Sequence, residues 1–84
     1  MANTNHVNVT MDFRQVSGED ALYDLRIPTQ LTVKQLLHHV TDTLHIKPNQ
    51  LHYAIKVMTK HLVLADDDYL RDYPVTDGDV LVVL

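Results

Sequence analysis

Six histidines in a chain of 84 residues are its most unusual count, and two of them combine with an aspartate in a pattern that could bind a metal. His38, Asp42 and His45 recur at i, i+4 and i+7, which places them on one face of a helix. Imidazole and carboxylate groups so arranged can share a divalent ion. Three ligands on an exposed helix nevertheless lack the enclosing groups that orient a metal site. We therefore expect no metal or other cofactor, and keep this triad as a secondary candidate.

Residues that could perform catalysis are scarce. The chain contains no Cys, which excludes a cysteine nucleophile, a thiolate zinc site and a disulfide framework. Its single serine, Ser17, lies in a predicted turn without the Gly-X-Ser-X-Gly pattern of a nucleophile elbow. The aspartates at 66–68, 72, 77 and 79 lack the Gly and Glu spacing of a calcium loop, so we expect them to supply solubilising charge and turns. The sequence predicts a protein that is not an enzyme.

Charge and hydropathy exclude two further classes of partner. A net charge of -4, with seven Lys and Arg spread along the chain, disfavours nucleic acid. No apolar run approaches the roughly 18 residues of a membrane span, and the start of the chain lacks the pattern of a signal peptide. We expect a cytoplasmic protein without direct membrane insertion. Residues 1–5 are polar and predicted to be disordered, and 6–84 is long enough for one small domain.

Hydropathy periodicity predicts the elements that would position any site. Strict alternation from His6 to Phe13 and from Ala21 to Ile27 indicates two strands, joined as a hairpin through a turn over 15–20. An apolar stripe of period 3.6 indicates a helix that begins after Thr32, with Gln35 completing a capping box, and ends near His45.

The second half of the chain predicts three more strands. Alternation from Leu51 to Val57 indicates the third, and the short run Leu62 to Leu64 the fourth. The final segment, Val80 to Leu84, is apolar on both faces, which favours a central strand. The element order predicts an α+β fold of the β-grasp type: a mixed sheet of four to five strands, with one helix on one face and the first and last strands parallel in the middle.

With this order, the chain resembles ubiquitin-like proteins from His6 to Leu84. The segment Leu70 to Val75 resembles the ubiquitin loop in which a Tyr hydrogen-bonds the backbone ahead of the last strand. The segments Ile55 to Lys60 and Asp72 to Leu81 are similar to the EsaB/YukD family of the bacterial type VII (ESX) secretion system. This resemblance implies a cytoplasmic accessory or regulatory protein that contacts other components of the apparatus and has no catalytic residues.

Two other functions stay open beside this one. A ubiquitin-like modifier or sulfur carrier needs a flexible tail ending in Gly-Gly, whereas this sequence has Val82-Val83-Leu84 there and glycines only at 18 and 78. The residue types at positions 82–84 therefore disfavour covalent conjugation. The second alternative is a generic ubiquitin-like adaptor unrelated to secretion.

The remaining candidate site is the sheet face that the helix leaves open, which is the usual binding surface of ubiquitin-like domains. We expect Ala54, Lys56 and Met58 to lie there beside Val82 and Leu84, although Leu81 and Val83 are the alternative for the last strand. An apolar patch rimmed by Lys56 and Lys60 would accept either a partner helix or a second copy of the chain, as a homodimer.

Overall fold

The computed structural model describes residues 5–17, 21–47 and 52–84. Its five strands form one mixed sheet in the order β2-β1-β5-β3-β4, and this topology confirms the predicted β-grasp fold. In chain order the elements are β1 (His6–Asp12), α1 (Arg14–Ser17), β2 (Leu22–Pro28), α2 (Val33–Thr43), β3 (Ile55–Val57), β4 (Leu62–Leu64) and β5 (Val80–Val83). Two 3₁₀ turns, Met58–Lys60 and Leu70–Asp72, follow β3 and precede β5.

The core lies between α2 and one face of the sheet. The apolar stripe of α2 is buried along its length, against side chains from every strand. None of the described helices is long and apolar enough to cross a bilayer, and α2, the longest of them, has 11 residues. The largest fully buried side chains are Phe13, Met11, Ile27, Leu36, Leu37, Ile55, Leu64, Leu70 and Leu81.

Both ends of α2 are set by local hydrogen bonds. The predicted capping box is confirmed: Gln35 N donates to Thr32 Oγ1 and Thr32 N donates to Gln35 Oε1. The helix ends at Thr43, slightly before the predicted end, because Ile46 N donates to Thr41 O and so closes a Schellman turn. His45 takes the left-handed position of that turn, with φ of 56°.

The last strand is central, as predicted. β5 pairs parallel with β1 and antiparallel with β3. The ladder extends past β5, since Leu84 N donates to Ala54 O and His52 N donates to Leu84 O. Its backbone is therefore paired along both edges, which explains why a run that is apolar on both faces is stable here.

Three local predictions need correction. The turn predicted over 15–20 begins instead as the helical turn α1, whose first amide, Arg14 N, bonds Asp12 Oδ1; residues 18–20 lie outside the described residues. The predicted third strand begins only at Ile55, because Tyr53 has φ of 52°, which is incompatible with a strand; Leu51 lies outside the described residues. In the segment predicted to be disordered, residues 1–4 lie outside the described residues, but Asn5 O accepts from Thr29 N.

Candidate interaction surface

The face of the sheet opposite α2 is open, and its residues follow from the strand register. Leu22 lies beside Asp12, Asp12 beside Val82, Val82 beside Lys56, and Lys56 beside Val63. One row of side chains therefore crosses all five strands. Its two ends are the most exposed large apolar residues, Leu22 at 50% and Val63 at 61% of their full exposure.

The two faces of β5 differ as expected if Val82 and Leu84 lie on the open face of the sheet. Leu81 and Val83 belong to the core cluster, whereas Val82 does not. Val82 nevertheless keeps only 7% of its exposure, because Asp12 and Lys56 flank it in the row. Val82 thus offers a partner little area of its own.

Ala54, Lys56 and Leu84 are half-buried. Leu84 lies opposite Ala54, since its amide donates to the Ala54 carbonyl. These three residues and Val82 are therefore neighbours along the paired segments 54–56 and 82–84.

Met58 is exposed, at 43%, but it is not part of β3. It begins the 3₁₀ turn that joins β3 to β4, so strand alternation does not set its side-chain direction. Val63 was not among the predicted surface residues, although a signal for it exists: the middle residue of the three-residue strand Leu62–Leu64 must face away from a buried Leu64. We name Ala54, Lys56, Val63, Val82 and Leu84, together with Met58 in the adjoining turn, the β3–β4 patch.

A buried carboxylate holds the Met58 turn in place. Asp79 is 4% exposed, so the expectation that it merely supplies solubilising charge is wrong. Its Oδ1 accepts from Thr59 Oγ1 at 2.5 Å, and its Oδ2 accepts from Lys60 Nζ at 2.5 Å and from Thr76 N at 2.8 Å. Lys60 Nζ also donates to Thr76 Oγ1. The two segments similar to the EsaB/YukD family therefore meet at Asp79, and the charge of Lys60 is neutralised there.

These contacts account for the pKa of Asp79. Burial alone would raise the pKa, since it penalises the charged form. The hydrogen bonds from Lys60, Thr59 and the Thr76 amide, together with the charge of Lys60, outweigh burial and lower the pKa of Asp79 from 3.8 to about 2. The carboxylate is ionised at neutral pH and acts as a fixed acceptor.

The loop that carries Asp79 is anchored on β1. Asn8 N donates to Asp77 Oδ1 at 2.8 Å, and Gly78 N donates to Asn8 O at the same distance. Gly78 has φ of 90°, a backbone conformation that favours glycine. This loop therefore sets both the register of β5 and the position of the turn that Asp79 binds.

A second buried carboxylate, Asp12, lies in the open-face row. Arg14 donates to it through Nε at 3.0 Å and through Nη2 at 2.8 Å. This hydrogen bonding outweighs burial and lowers the pKa of Asp12. The apolar patch therefore adjoins a paired carboxylate, and Lys56 is the cation within it.

The metal candidate is not assembled. His45 lies beyond the end of α2 in the left-handed region, so the i, i+7 relation to His38 does not hold. The His38 ring instead packs on Tyr53, with centroids 5.0 Å apart. Within residues 5–17, 21–47 and 52–84, no group of three or more His, Asp or Glu side chains is arranged to hold a metal ion.

Tyr73 lies in the loop before β5, as expected. Hydrogen bonding to the Asp68 carboxylate, with lesser effects of burial and nearby aspartates, raises the pKa of Tyr73. Asp68 also accepts from Ala65 N at 2.8 Å, so it organises the acidic loop internally.

Comparison with solved structures shows a ubiquitin-like fold. A structure described as molecular mimicry of SUMO promoting DNA repair matches with a TM-score of 0.70 at 17% identity, over 99% of this chain and 95% of that one. The ubiquitin-like domain of an Arabidopsis thaliana protein matches with a TM-score of 0.68 at 19% identity, over 100% and 81% of the two chains. These likenesses show the fold alone.

Sequence comparison then shows the family. The family model for YukD of the WXG100 protein secretion system (Wss) matches residues 6–83. The type VII secretion system accessory factors EsaB of Staphylococcus aureus strains Newman and COL are each 42% identical over 79 residues, which cover 94% of this chain and 96% of theirs. The chain belongs to the YukD family, and the predicted relation to type VII secretion accessory proteins is confirmed.

Proposed function

We propose that the chain acts in the cytoplasm as a non-covalent binding module of the type VII secretion apparatus, and that the β3–β4 patch contacts another component of that apparatus. The similarity to the EsaB accessory factors over nearly the whole of both chains carries the assignment to secretion. In this role the chain binds a partner protein, without a catalytic residue or a cofactor of its own.

The composition of the β3–β4 patch supports its choice as the contact site. Val63 and Met58 expose apolar surface, and the half-buried Ala54 and Leu84 lie in the adjoining row. Lys56 adds one cation beside them. Apolar groups rimmed by few charges are typical of the centre of a protein interface.

The position of residues 82–84 supports non-covalent action. Val82 and Val83 are part of the central strand, and Leu84 is bonded through both its amide and its carbonyl to the segment before β3. An adenylating enzyme needs a flexible Gly-Gly tail as its substrate. Residues 82–84 are held in the sheet and are not free to serve as such a substrate.

Charge substitutions at the exposed apolar residues test the contact site. We expect Met58→Asp and Val63→Asp to reduce the secretion of type VII substrates in the native cell and to abolish capture of an apparatus component by a photocrosslinker at the neighbouring position. Their thermal unfolding should change little, because exposed substitutions cost about 0.5 kcal/mol or less. Tyr69→Asp, a change at an exposed large apolar residue in the loop before β5 and outside this row, is the matched control and should secrete normally.

Normal secretion by folded, normally expressed Met58→Asp and Val63→Asp variants would remove the patch as the contact site. A concentration-dependent dimer that dissociates in both variants would instead assign the patch to a second copy. Intact-mass spectrometry of the chain from cells addresses the modifier alternative, since an adduct formed with ATP and an adenylating enzyme would contradict non-covalent action.

A further inference from the structure

The dipeptide Asp77-Gly78 is a chemically labile point of the sequence. An aspartate followed by glycine forms a cyclic imide more readily than other aspartates, because glycine has no side chain to hinder its own nitrogen. Glycine occurs only at positions 18 and 78, and Ser17 precedes the first of them, so 77–78 is the one Asp-Gly or Asn-Gly pair in the sequence. Imide chemistry is therefore expected to concentrate there.

The reaction at such a pair has two steps and needs no cofactor. The nitrogen of Gly78 attacks Cγ of Asp77 and loses its proton; an N–C bond forms, a C–O bond of the carboxyl group breaks, and water leaves. Water then adds to one of the two carbonyls of the imide. Opening at Cγ restores aspartate, whereas opening at the main-chain carbonyl gives isoaspartate, in which the chain runs through Cγ and the α-carboxylate is free.

The folded loop restrains both reacting groups. Asp77 Oδ1 accepts from Asn8 N at 2.8 Å, and Gly78 N donates to Asn8 O at 2.8 Å. Ring closure needs rotation of the Asp77 side chain toward Gly78 and loss of the Gly78 amide proton, and these two bonds oppose both changes. Asn8 is itself fixed within β1, which pairs with β2 on its other side. The sheet therefore holds the dipeptide in an unreactive arrangement.

Burial does not protect this dipeptide. Asp77 and Gly78 are both exposed, and a Cβ atom built on Gly78 would meet no other atom within 4 Å. Solvent water can therefore reach the loop, and the restraint rests on the hydrogen bonds to Asn8. A site of this kind reacts through the fraction of molecules in which the loop has opened.

Isoaspartate at position 77 would disturb the contacts of Asp79. The modification adds one carbon to the main chain between residues 77 and 78, just before β5. Asp79 Oδ2 accepts from Thr76 N, so this hydrogen bond closes a short loop across the altered position. The same oxygen accepts from Lys60 Nζ, which belongs to the turn that Met58 begins. Lengthening the loop therefore moves the acceptor on which that turn depends.

We infer that Asp77-Gly78 is a site of isoaspartate formation that the fold protects through Asn8, and that opening of this loop exposes the chain to the modification. The modified chain loses the native position of Asp79 and, with it, the native position of the Met58 turn. A transient opening of the loop is thereby converted into a covalent change. This chemistry is independent of the partner that the β3–β4 patch binds.

Incubation of the full chain at neutral pH, folded or in guanidinium chloride, tests the protection. Isoaspartate is measured by its methylation with an isoaspartyl methyltransferase and is assigned to a residue by mass spectrometry of the fragments. We expect formation at position 77 to be at least about tenfold slower in the folded chain than in the denatured chain. Asp77→Glu, which cannot form the five-membered imide, should remove the signal in the denatured chain.

Two buried carboxylates provide a matched pair of variants. Asp79→Asn disturbs the hydrogen bond to Thr76 N within the same loop, so we expect it to accelerate isoaspartate formation at position 77 at least about threefold under native conditions. Asp12→Asn changes a buried carboxylate outside this loop and should leave the rate unchanged. Hydrogen exchange of the Gly78 amide should accelerate in the first variant and stay unchanged in the second.

The isomerised chain, separated by ion exchange and returned to native conditions, tests the structural consequence. We expect its amide signals at Thr59 and Lys60 to shift and its thermal unfolding midpoint to fall below that of the unmodified chain. An Asp77→Glu chain taken through the same incubation controls for damage elsewhere.

Three results would overturn the inference. Equal rates in the folded and the denatured chain would show that the bonds to Asn8 give no protection. Similar rates at several aspartates of the denatured chain would remove 77–78 as the site. Native amide signals at Thr59 and Lys60 in the isomerised chain would remove the link to the Met58 turn. Each outcome is independent of the secretion assay on the β3–β4 patch.

Discussion

The two buried carboxylates, Asp79 and Asp12, differ in the distance along the chain that they connect. Asp79 accepts hydrogen bonds from Thr59 and Lys60, about 20 residues earlier, and also from Thr76. The Asp12 carboxylate accepts its hydrogen bonds from the backbone and side-chain nitrogens of Arg14, two residues away. Asp79 therefore joins separate segments of the fold, whereas Asp12 organises a single local turn.

This difference bears on function because Met58 immediately precedes the two residues that Asp79 binds. Met58, one of the two exposed apolar residues of the β3–β4 patch, is therefore positioned by a contact on the buried side of its own turn. A change at Asp79 should therefore alter the patch as well as the stability, whereas a change at Asp12 should not reach Met58.

Removing the charge of Asp79 is expected to have the largest effect. Asp79→Asn leaves Lys60, whose side chain is 28% exposed, without its ionic partner and replaces one acceptor oxygen with a donor. We expect the free energy of unfolding to fall by about 2–3 kcal/mol, as for a buried pair that loses one member but whose cation can still reach water. Chemical denaturation measures this loss, and the amide signals of Met58 to Lys60 should shift. A loss under about 0.5 kcal/mol would contradict the role assigned to Asp79.

Acid should reproduce most of this loss. Because the folded state lowers the pKa of Asp79 from 3.8 to about 2, the carboxylate stabilises the fold fully above its unfolded pKa, and that contribution is lost as the pH falls through the folded pKa. The free energy of unfolding is therefore expected to fall by about 2 kcal/mol between roughly pH 5 and pH 2 on account of this group. The difference between the parent chain and Asp79→Asn should shrink over the same interval. A constant difference would show that Asp79 does not titrate as described.

Of the three changes, Asp12→Asn is expected to lower the free energy of unfolding least. Its Arg14 partner is 53% exposed at the side chain, so solvent screens the ion pair, and an asparagine oxygen can still accept from Arg14 N. We expect a loss of about 1 kcal/mol or less, with no shift of the Met58 amide signal. A loss equal to that of Asp79→Asn would remove the distinction between the local and the long-range carboxylate.

Much of the fold could be predicted from the sequence because its signals are local. The capping box of Thr32 and Gln35 lies within four residues, and the alternation in β1 needs only the period of a strand. The central position of β5 followed from its lack of a polar face. The end of α2 was less well predicted, because the Schellman turn placed His45 in a left-handed conformation that removed it from the helical face.

The candidate site was only partly predictable. Ala54, Lys56, Val82 and Leu84 were placed together by strand alternation, but the low exposure of Val82 depends on neighbours from two other strands. Val63 could not be singled out within three consecutive apolar residues, because its position on the open face depends on its pairing to Lys56. The position of β2 at an edge of the sheet depends on the strand order, which no property of β2 alone reveals.

The main strands, the long helix and their order follow from consecutive residues, since periodicity and capping are local properties, and the family follows from similarity to known sequences. The burial of Asp12 and Asp79, the set of exposed residues that share a face and the edge position of β2 depend instead on the tertiary structure. Those properties depend on segments far apart in the chain, such as 59–60 and 76–79, whose proximity is created by the pairing of β5 between β1 and β3.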